Sequence, residues 1–231
     1  MLFKRQPKKS NLKNNSENDL KNDFPPLVLT GFRIHLRPPR PEDFHEWVTL
    51  RTRNRAYLTP FEPCWDENYQ TPIYFVQRIR RQLREWNADR GYSFLIFKND
   101  SGAMIGGMNV NHVCRGAAQY ASLGYWIDES HQGQGLMTET IRLIVDFCFE
   151  KIHLTRVNAA CLVHNTPSHR ALMRAGFLQE GLARDYIEIN GRLQDHILFG
   201  LPRALWAERR VKEMNIKDKN IRDKNTLDKN T

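Results

Sequence analysis

Residues 123–153 read LGYWIDESHQGQGLMTETIRLIVDFCFEKIH, and the order of patterns in this stretch decides the fold. Tyr120–Asp128 has the composition of a strand. Met137, Ile141, Ile144, Val145, Cys148, Phe149 and Ile152 recur at three-and-four spacing, which predicts one helix over Leu136–His153. Between them lies Gln132-Gly-Gln-Gly-Leu-Met137. Two glycines let a backbone turn tightly and approach a ligand closely. The amides after them are the unbonded donors of a helix N-terminus, where the dipole adds positive potential. Strand, Gly-rich loop and helix in this order suit a phosphate or pyrophosphate. No Lys-Ser/Thr follows as in a Walker A loop, and the third glycine of a dinucleotide fingerprint is missing. An ordinary Gly-rich turn is the alternative.

Upstream, Phe32–Arg37 alternates as a strand, Pro41-Glu-Asp-Phe opens a helix, and 72–87 reads as a second helix, basic on one side. Tyr92–Lys98, Ala103–Val113 and Tyr120–Asp128 form a meander of strands. Downstream, Thr155–Val163 is a strand and Asn165-Thr-Pro-Ser168 opens a helix that Gly176 closes. Phe177–Asn190 and Arg192–Leu201 make a hairpin across Asn190-Gly191, before a terminal helix over Pro202–Met214. The whole is a single mixed α/β (α+β) domain over 25–210.

The 231 residues carry a formal charge of +9 with 40% hydrophobic residues, enough for one sizeable core. Residues 1–24 hold six basic against three acidic side chains and read as a flexible arm. Residues 211–231 repeat a five-residue Lys/Asp/Asn unit and read as a solvated low-complexity tail, with RNA contact as the alternative. No apolar run reaches membrane-spanning length, so no membrane partner is expected. Four scattered cysteines read as reduced thiols of a cytoplasmic protein, and eight histidines without ligand spacing give metal catalysis no support.

Leu123-Gly-Tyr-Trp-Ile-Asp128 with Gln132-Gly-Gln-Gly-Leu-Met-Thr-Glu139 strongly resembles the acetyl-CoA loop of GNAT-superfamily N-acetyltransferases, whose pattern is Gln/Arg-x-x-Gly-x-Gly/Ala. Gln132 and Gly135 match; Met137 departs in a way that looks like the subgroup acetylating ribosomal-protein N-termini. Asn165-x-x-Ser168, Ala175-Gly-Phe177 and Glu180-Gly181 are similar to that subgroup's second block. Leu58-Thr-Pro-Phe-Glu-Pro63 with Trp65 looks like its Leu-x-Pro-Trp-Glu-Pro segment, and Arg184-Asp-Tyr, Asn-Gly-Arg and Asp195-His196 complete the set. The resemblance covers about residues 30–205. It implies a central, mostly antiparallel twisted sheet, splayed at the acetyl-CoA site, with helices on both faces.

It also implies site roles. Gln132, Gly133, Gln134, Gly135, Leu136 and Met137 would cradle the pyrophosphate, mainly through main-chain N–H groups. Arg170, like Arg174 one turn on, either reaches CoA phosphates or is a solvated arginine. Trp126 and Ile127 would end the central strand beside the cofactor, where free backbone groups pair with pantetheine and one N–H stabilises the oxyanion. Asn165 either bonds the pantetheine or caps its helix. Many superfamily members carry a tyrosine acid seven residues after this asparagine; here the position is Leu172. Ser168 is then the donor to the departing thiolate, or a helix cap. For the general base, alternation puts Asp185 on the face of Ile187, where some relatives carry a glutamate, and Glu62 is a further candidate. Tyr57, Phe61, Glu62, Trp65 and Tyr125 would form the acceptor side, or pack beneath a long loop. The basic stretch Arg78–Arg84 reads as a solvated helix face.

The reading is therefore direct acetyl transfer from acetyl-CoA, without a metal, to the N-terminal alanine of a ribosomal protein. The protein would act as monomer or homodimer, with ribosome or RNA association through its basic tails. Small cationic amines, aminoglycoside or polyamine, are the alternative acceptors, since Glu62, Asp66 and Glu67 would give an acidic pocket. A non-catalytic ribosome- or RNA-binding protein of the same fold is the rival from another class.

Overall fold

The computed structural model describes residues 24–212. The expected arm and tail fall almost wholly outside them.

Eight strands form one sheet in the order β1-β2-β3-β4-β5-β6-β8-β7. They are β1 Leu29–Thr30, β2 Ile34–Arg37, β3 Tyr92–Lys98, β4 Met104–Asn111, β5 Tyr120–Ile127, β6 Arg156–Leu162, β7 Leu178–Ile189 and β8 Arg192–Pro202. Every neighbouring pair is antiparallel except β5 with β6. The helices are α1 Phe44–Arg53, α2 Arg55–Leu58, α3 Pro72–Asn87, α4 Leu136–Asp146, α5 Thr166–Ala175 and α6, residues 203–212.

Alternation along the strands sends residues to two cores. In β3, Phe94 and Ile96 face a cluster with Ile141 and Ile144 of α4 and Leu172 of α5. Leu95 and Phe97 face a second cluster with Trp47 and Leu50 of α1 and Phe75 and Ile79 of α3. Helices thus cover both faces, as expected. Local chemistry sets their ends. Thr71 caps α3 by accepting the Tyr74 N–H, with Pro72 in the first turn, and Gly176 ends α5 at φ 107°.

Three local expectations are corrected. The strand expected over Phe32–Arg37 begins at Ile34, as β2, because Gly31 turns the chain back from β1 and its N–H bonds the Ile34 carbonyl; Phe32 is left outside the sheet. The helix expected to run to His153 changes at Phe147 into a π turn over Phe147–Lys151. Phe147, Cys148 and Phe149 are all buried there, and a regular α-turn would swing one of three consecutive side chains away from the core. The hairpin turns at Asn190-Gly191 with both φ positive, as a two-residue turn requires. Its strand β7, however, carries a wide bulge between Ala183 and Ile187. The bulge breaks the period-two alternation behind Asp185: that residue sits at φ 45°, exposed, its N–H bonded to Asp195 Oδ1.

Candidate active site

The parallel pairing of β5 with β6 runs only from Tyr120 opposite Arg156 to Leu123 opposite Ala159. Beyond that point β5 stays paired to β4 through Ile127, and β6 to β8 through Leu162. The two strands therefore part, and Gly124–Ile127 keep backbone groups on one edge without strand partners.

The chain leaves β5 through a short turn and enters α4 at Gly135, the N-cap, with φ 76° and no side-chain cap. Gly133 also has positive φ, at 70°. The first amides of α4 remain open to a ligand. Two side-chain groups hold this loop. Arg33 donates from its backbone N–H and Nε to Glu139, at 2.8 and 2.9 Å, and from Nη1 to the Gln134 carbonyl at 2.8 Å. Asp128, buried at the end of β5, accepts from Arg53 Nη2, Asn54 Nδ2, His131 Nδ1 and Ser130 Oγ. Asn54 in turn accepts the Glu129 N–H.

Burial alone would raise the Asp128 pKa; its hydrogen bonds outweigh that and hold it at about 2. A carboxyl lowered on folding stabilises the fold above its unfolded pKa near 4, and the contribution disappears as pH falls toward 2. Asp128→Asn is expected to cost roughly 1–3 kcal/mol at pH 7, by leaving charged donors unsatisfied. Thermal melts of both proteins should show the difference shrinking between pH 4 and 2; a constant difference would contradict the assignment.

A cleft of about 1290 Å³ runs along the parted strands. Its walls include Gln132, Gly133, Gly135, Leu136 and Met137 on the loop side, and Asn165, Ser168 and Arg170 on α5. Trp126, Ile127 and Tyr125 contribute from β5, and Tyr57, Phe61, Glu62 and Trp65 from the segment after α1. Gln134 and Asp185 do not line it. Asn165 Oδ1 caps α5 by accepting the Ser168 N–H at 3.2 Å. Ser168 Oγ lies 2.8 Å from Tyr125 Oη, so the two hydroxyls meet across the splay. Burial raises the Tyr125 pKa, which keeps the phenol protonated; the Ser168 hydrogen bond opposes this only in part. Leu172, where a tyrosine acid was sought, is in the core.

Glu62 is bound at both oxygens by Arg51, at 2.8 and 2.6 Å, and also by Trp65 Nε1. The Arg51 guanidinium stacks over Trp65 at 3.9 Å and near Trp126 at 4.9 Å. The sequence does not mark this arginine or its aromatic cage, since Arg51, Arg53 and Arg55 stand alike at the end of α1 and just beyond it. In sequence, His196 stands out only as part of the Asp195-His196 pair of the resemblance. It lies on β8 opposite Leu162, at the open end of the splay, 4% exposed and lining the cleft. Its Nδ1 is 2.9 Å from the Gln194 carbonyl, an acceptor only, so Nδ1 carries a proton and Nε2 is the ring nitrogen that can act as an acceptor.

A sequence profile described as Acetyltransferase (GNAT) domain matches residues 33–178. The chain is 36% identical over 169 residues to the Probable N-acetyltransferase YjcK of Bacillus subtilis (strain 168), covering 73% of this chain and 93% of that protein. It is 30% identical over 190 residues to the ribosomal protein uS5-alanine N-acetyltransferase of Escherichia coli (strain K12), covering 82% and 98%. Mycobacterium smegmatis RimJ in complex with CoA-disulfide superposes with a TM-score of 0.71 at 29% identity, over 77% of this chain and 85% of that one.

Proposed function

The chain belongs to the GNAT acetyltransferase family, and from that premise we propose that it transfers an acetyl group from acetyl-CoA to the N-terminal α-amine, alanine foremost, of a ribosomal protein. The observation that carries the reading is the parting of β5 from β6 beside an uncapped helix N-terminus with positive-φ glycines. Acetyl-CoA supplies the acetyl group as a thioester when bound. The residues suit it: the Gly135 N-cap leaves the α4 amides open, and a Cβ on Gly133 would meet nothing within 4 Å. Free N–H groups on the unpaired edge of β5 can stabilise the charge that gathers on the acetyl oxygen.

The cleft exceeds the roughly 300–1,000 Å³ of a single small-ligand site, which favours both substrates bound together. Initial velocities with acetyl-CoA and an N-terminal alanine peptide should then give intersecting double-reciprocal lines. Parallel lines would point to an acetylated enzyme instead.

With the Tyr125 O–H donating to Ser168 Oγ, one of the two directions that the 2.8 Å contact permits, the Ser168 proton is left for the departing thiolate. A thiol of pKa near 8.5 needs only modest help, so Ser168→Ala and Tyr125→Phe are each expected to lower kcat about tenfold with acceptor KM little changed. Equal losses in the double variant would place both in one relay; independent, multiplying losses would not.

At the acceptor end, His196 Nε2 takes the proton that the attacking amine sheds, held in the right tautomer by the Gln194 carbonyl. With Glu62 paired to Arg51, the other carboxylates on the cleft are Glu180, paired to Arg156, and Asp66, exposed at its edge, which gives polycationic small amines little to hold them and favours the polypeptide acceptor.

A further inference from the structure

Arg78 stands in α3 one turn after Tyr74, and both line the cleft. Its guanidinium carbon is 5.6 Å from the centre of the Trp47 ring, and that of Arg51 is 6.0 Å from the same ring. Two cations thus flank one indole. Among the described residues no hydrogen bond or ion pair reaches the Arg78 guanidinium. Glu62, the carboxylate whose charge it feels, has both oxygens committed to Arg51 and one shared with Trp65. Arg51 itself has a donor to spare, since its buried Nε–H meets no acceptor. Gln82 Oε1, one turn along α3, is also without a donor, so the Arg78 guanidinium is not spent on it.

Burial pushes the Arg78 pKa down from its ordinary value; Tyr74 opposes this, Arg51 and Arg81 add to it, and Glu62 opposes it. An arginine nonetheless stays charged. The wall of the cleft therefore holds Arg51 and Arg78 against one neutralising carboxylate. Asp66 also lines the cleft, but it is exposed and accepts the Asn68 N–H of its own turn. A partly buried guanidinium without its own counter-charge is costly alone and favourable once an anion arrives.

We propose that Arg78, with Arg51 behind it, is an anion subsite that receives an acidic side chain close to the N-terminus of the acceptor polypeptide. The proposal rests on the reading of this chain as an α-amine acetyltransferase and narrows its substrate class. Position separates the subsite from the phosphate loop. Arg51 and Arg78 lie on the face of the sheet that packs α1 and α3, whereas α4, whose N-terminus bears the loop, packs the other face. Trp126 links the subsite to the reaction centre: its ring is in reach of Arg51, and it follows Tyr125 in β5. A peptide whose amine reaches the splay past Trp126 lays its next residues against this wall. The planar fork of a guanidinium matches a carboxylate, and a second positive charge there repels an acceptor rich in lysine or arginine.

The test compares two ten-residue peptides that begin with alanine and differ only in carrying Glu or Gln at positions three and four. The wild-type protein is expected to prefer the Glu peptide at least tenfold in kcat/KM, mainly through KM, and to lose that preference as salt rises. In Arg78→Gln the ratio should collapse to within twofold, and Arg78→Lys should keep part of it. Turnover of both peptides at equal efficiency by the wild type would overturn the subsite and leave the acetyltransferase reading intact. A preference undiminished in Arg78→Gln would overturn the assignment to Arg78. A raised KM for acetyl-CoA in Arg78→Gln, identical with either peptide, would give the charge to the cofactor and overturn it too. Acetylation of neither peptide would count against the α-amine reading itself, and the subsite with it. If Arg78→Gln fails to fold, Arg78→Lys decides: a Glu/Gln ratio unchanged from wild type there would overturn the assignment.

Discussion

His196→Gln is expected to lower kcat/KM for an α-amine acceptor by about 100-fold at pH 7, within the range by which a positioned acid or base accelerates a reaction. Glutamine keeps a polar group beside the Gln194 carbonyl but has no lone pair suited to take a proton. An α-amine has a pKa near 8, so at pH 7 most of the acceptor arrives as ammonium and must lose a proton before or during attack. In the variant only solvent does this. Its rate should climb with pH until the amine is free, and the deficit against wild type should shrink severalfold by pH 9. The pH profile of kcat/KM for both proteins checks this. His196 is buried, so a structural defect is the competing account. It would lower the melting temperature and cost the same factor at pH 7 and 9.

Gly135→Val is expected to weaken acetyl-CoA binding by about 100-fold while leaving acceptor KM nearly unchanged. Gly135 holds φ 76°, which a β-branched residue adopts only with strain of about 1–3 kcal/mol. The protein itself has room: the nearest atom to a Cβ there is Arg33 Nη2 at 3.6 Å. The loss therefore comes from the tilt of the first α4 amides and from the bulk set in front of them, where a phosphate must approach. Titration calorimetry with CoA measures it. Gly133→Ala, also at positive φ but with open space around its Cβ, should lose less. Binding within threefold of wild type in a folded Gly135→Val would remove the loop from the cofactor site.

The long periodic stretch after the glycines, the alternating strands and the Asn190-Gly191 turn were legible in sequence because each is written in local chemistry. The two-residue β1 and the four-residue α2 were not, being too short to show a period. The π turn escaped because the same apolar residues satisfy a regular helix until Phe147–Phe149 must all be buried. At the site, the Gly-rich loop shows in the local sequence and the Asn165/Ser168 pair only through the family resemblance, while the Tyr125–Ser168 contact spans 43 positions and belongs to the splay alone. Strict alternation along β7 would carry Asp185 to the face of Ile187, but the bulge between Ala183 and Ile187 breaks it. That bulge leaves Tyr186 and Ile187 on the cleft, with the Tyr186 ring 6.0 Å from that of His196. The Arg51–Glu62 pair reverses the meaning of an acidic segment: a carboxylate that looks available in sequence is already neutralised in the fold.

Intact-mass analysis of ribosomal proteins prepared from cells lacking this protein, then incubated with it and acetyl-CoA, decides whether the chain acetylates a ribosomal protein. A single added acetyl group is expected on the N-terminus of one ribosomal protein, appearing with the wild type and absent with Gly135→Val. No mass shift on any ribosomal protein, from a preparation that binds acetyl-CoA and remains folded, would contradict it.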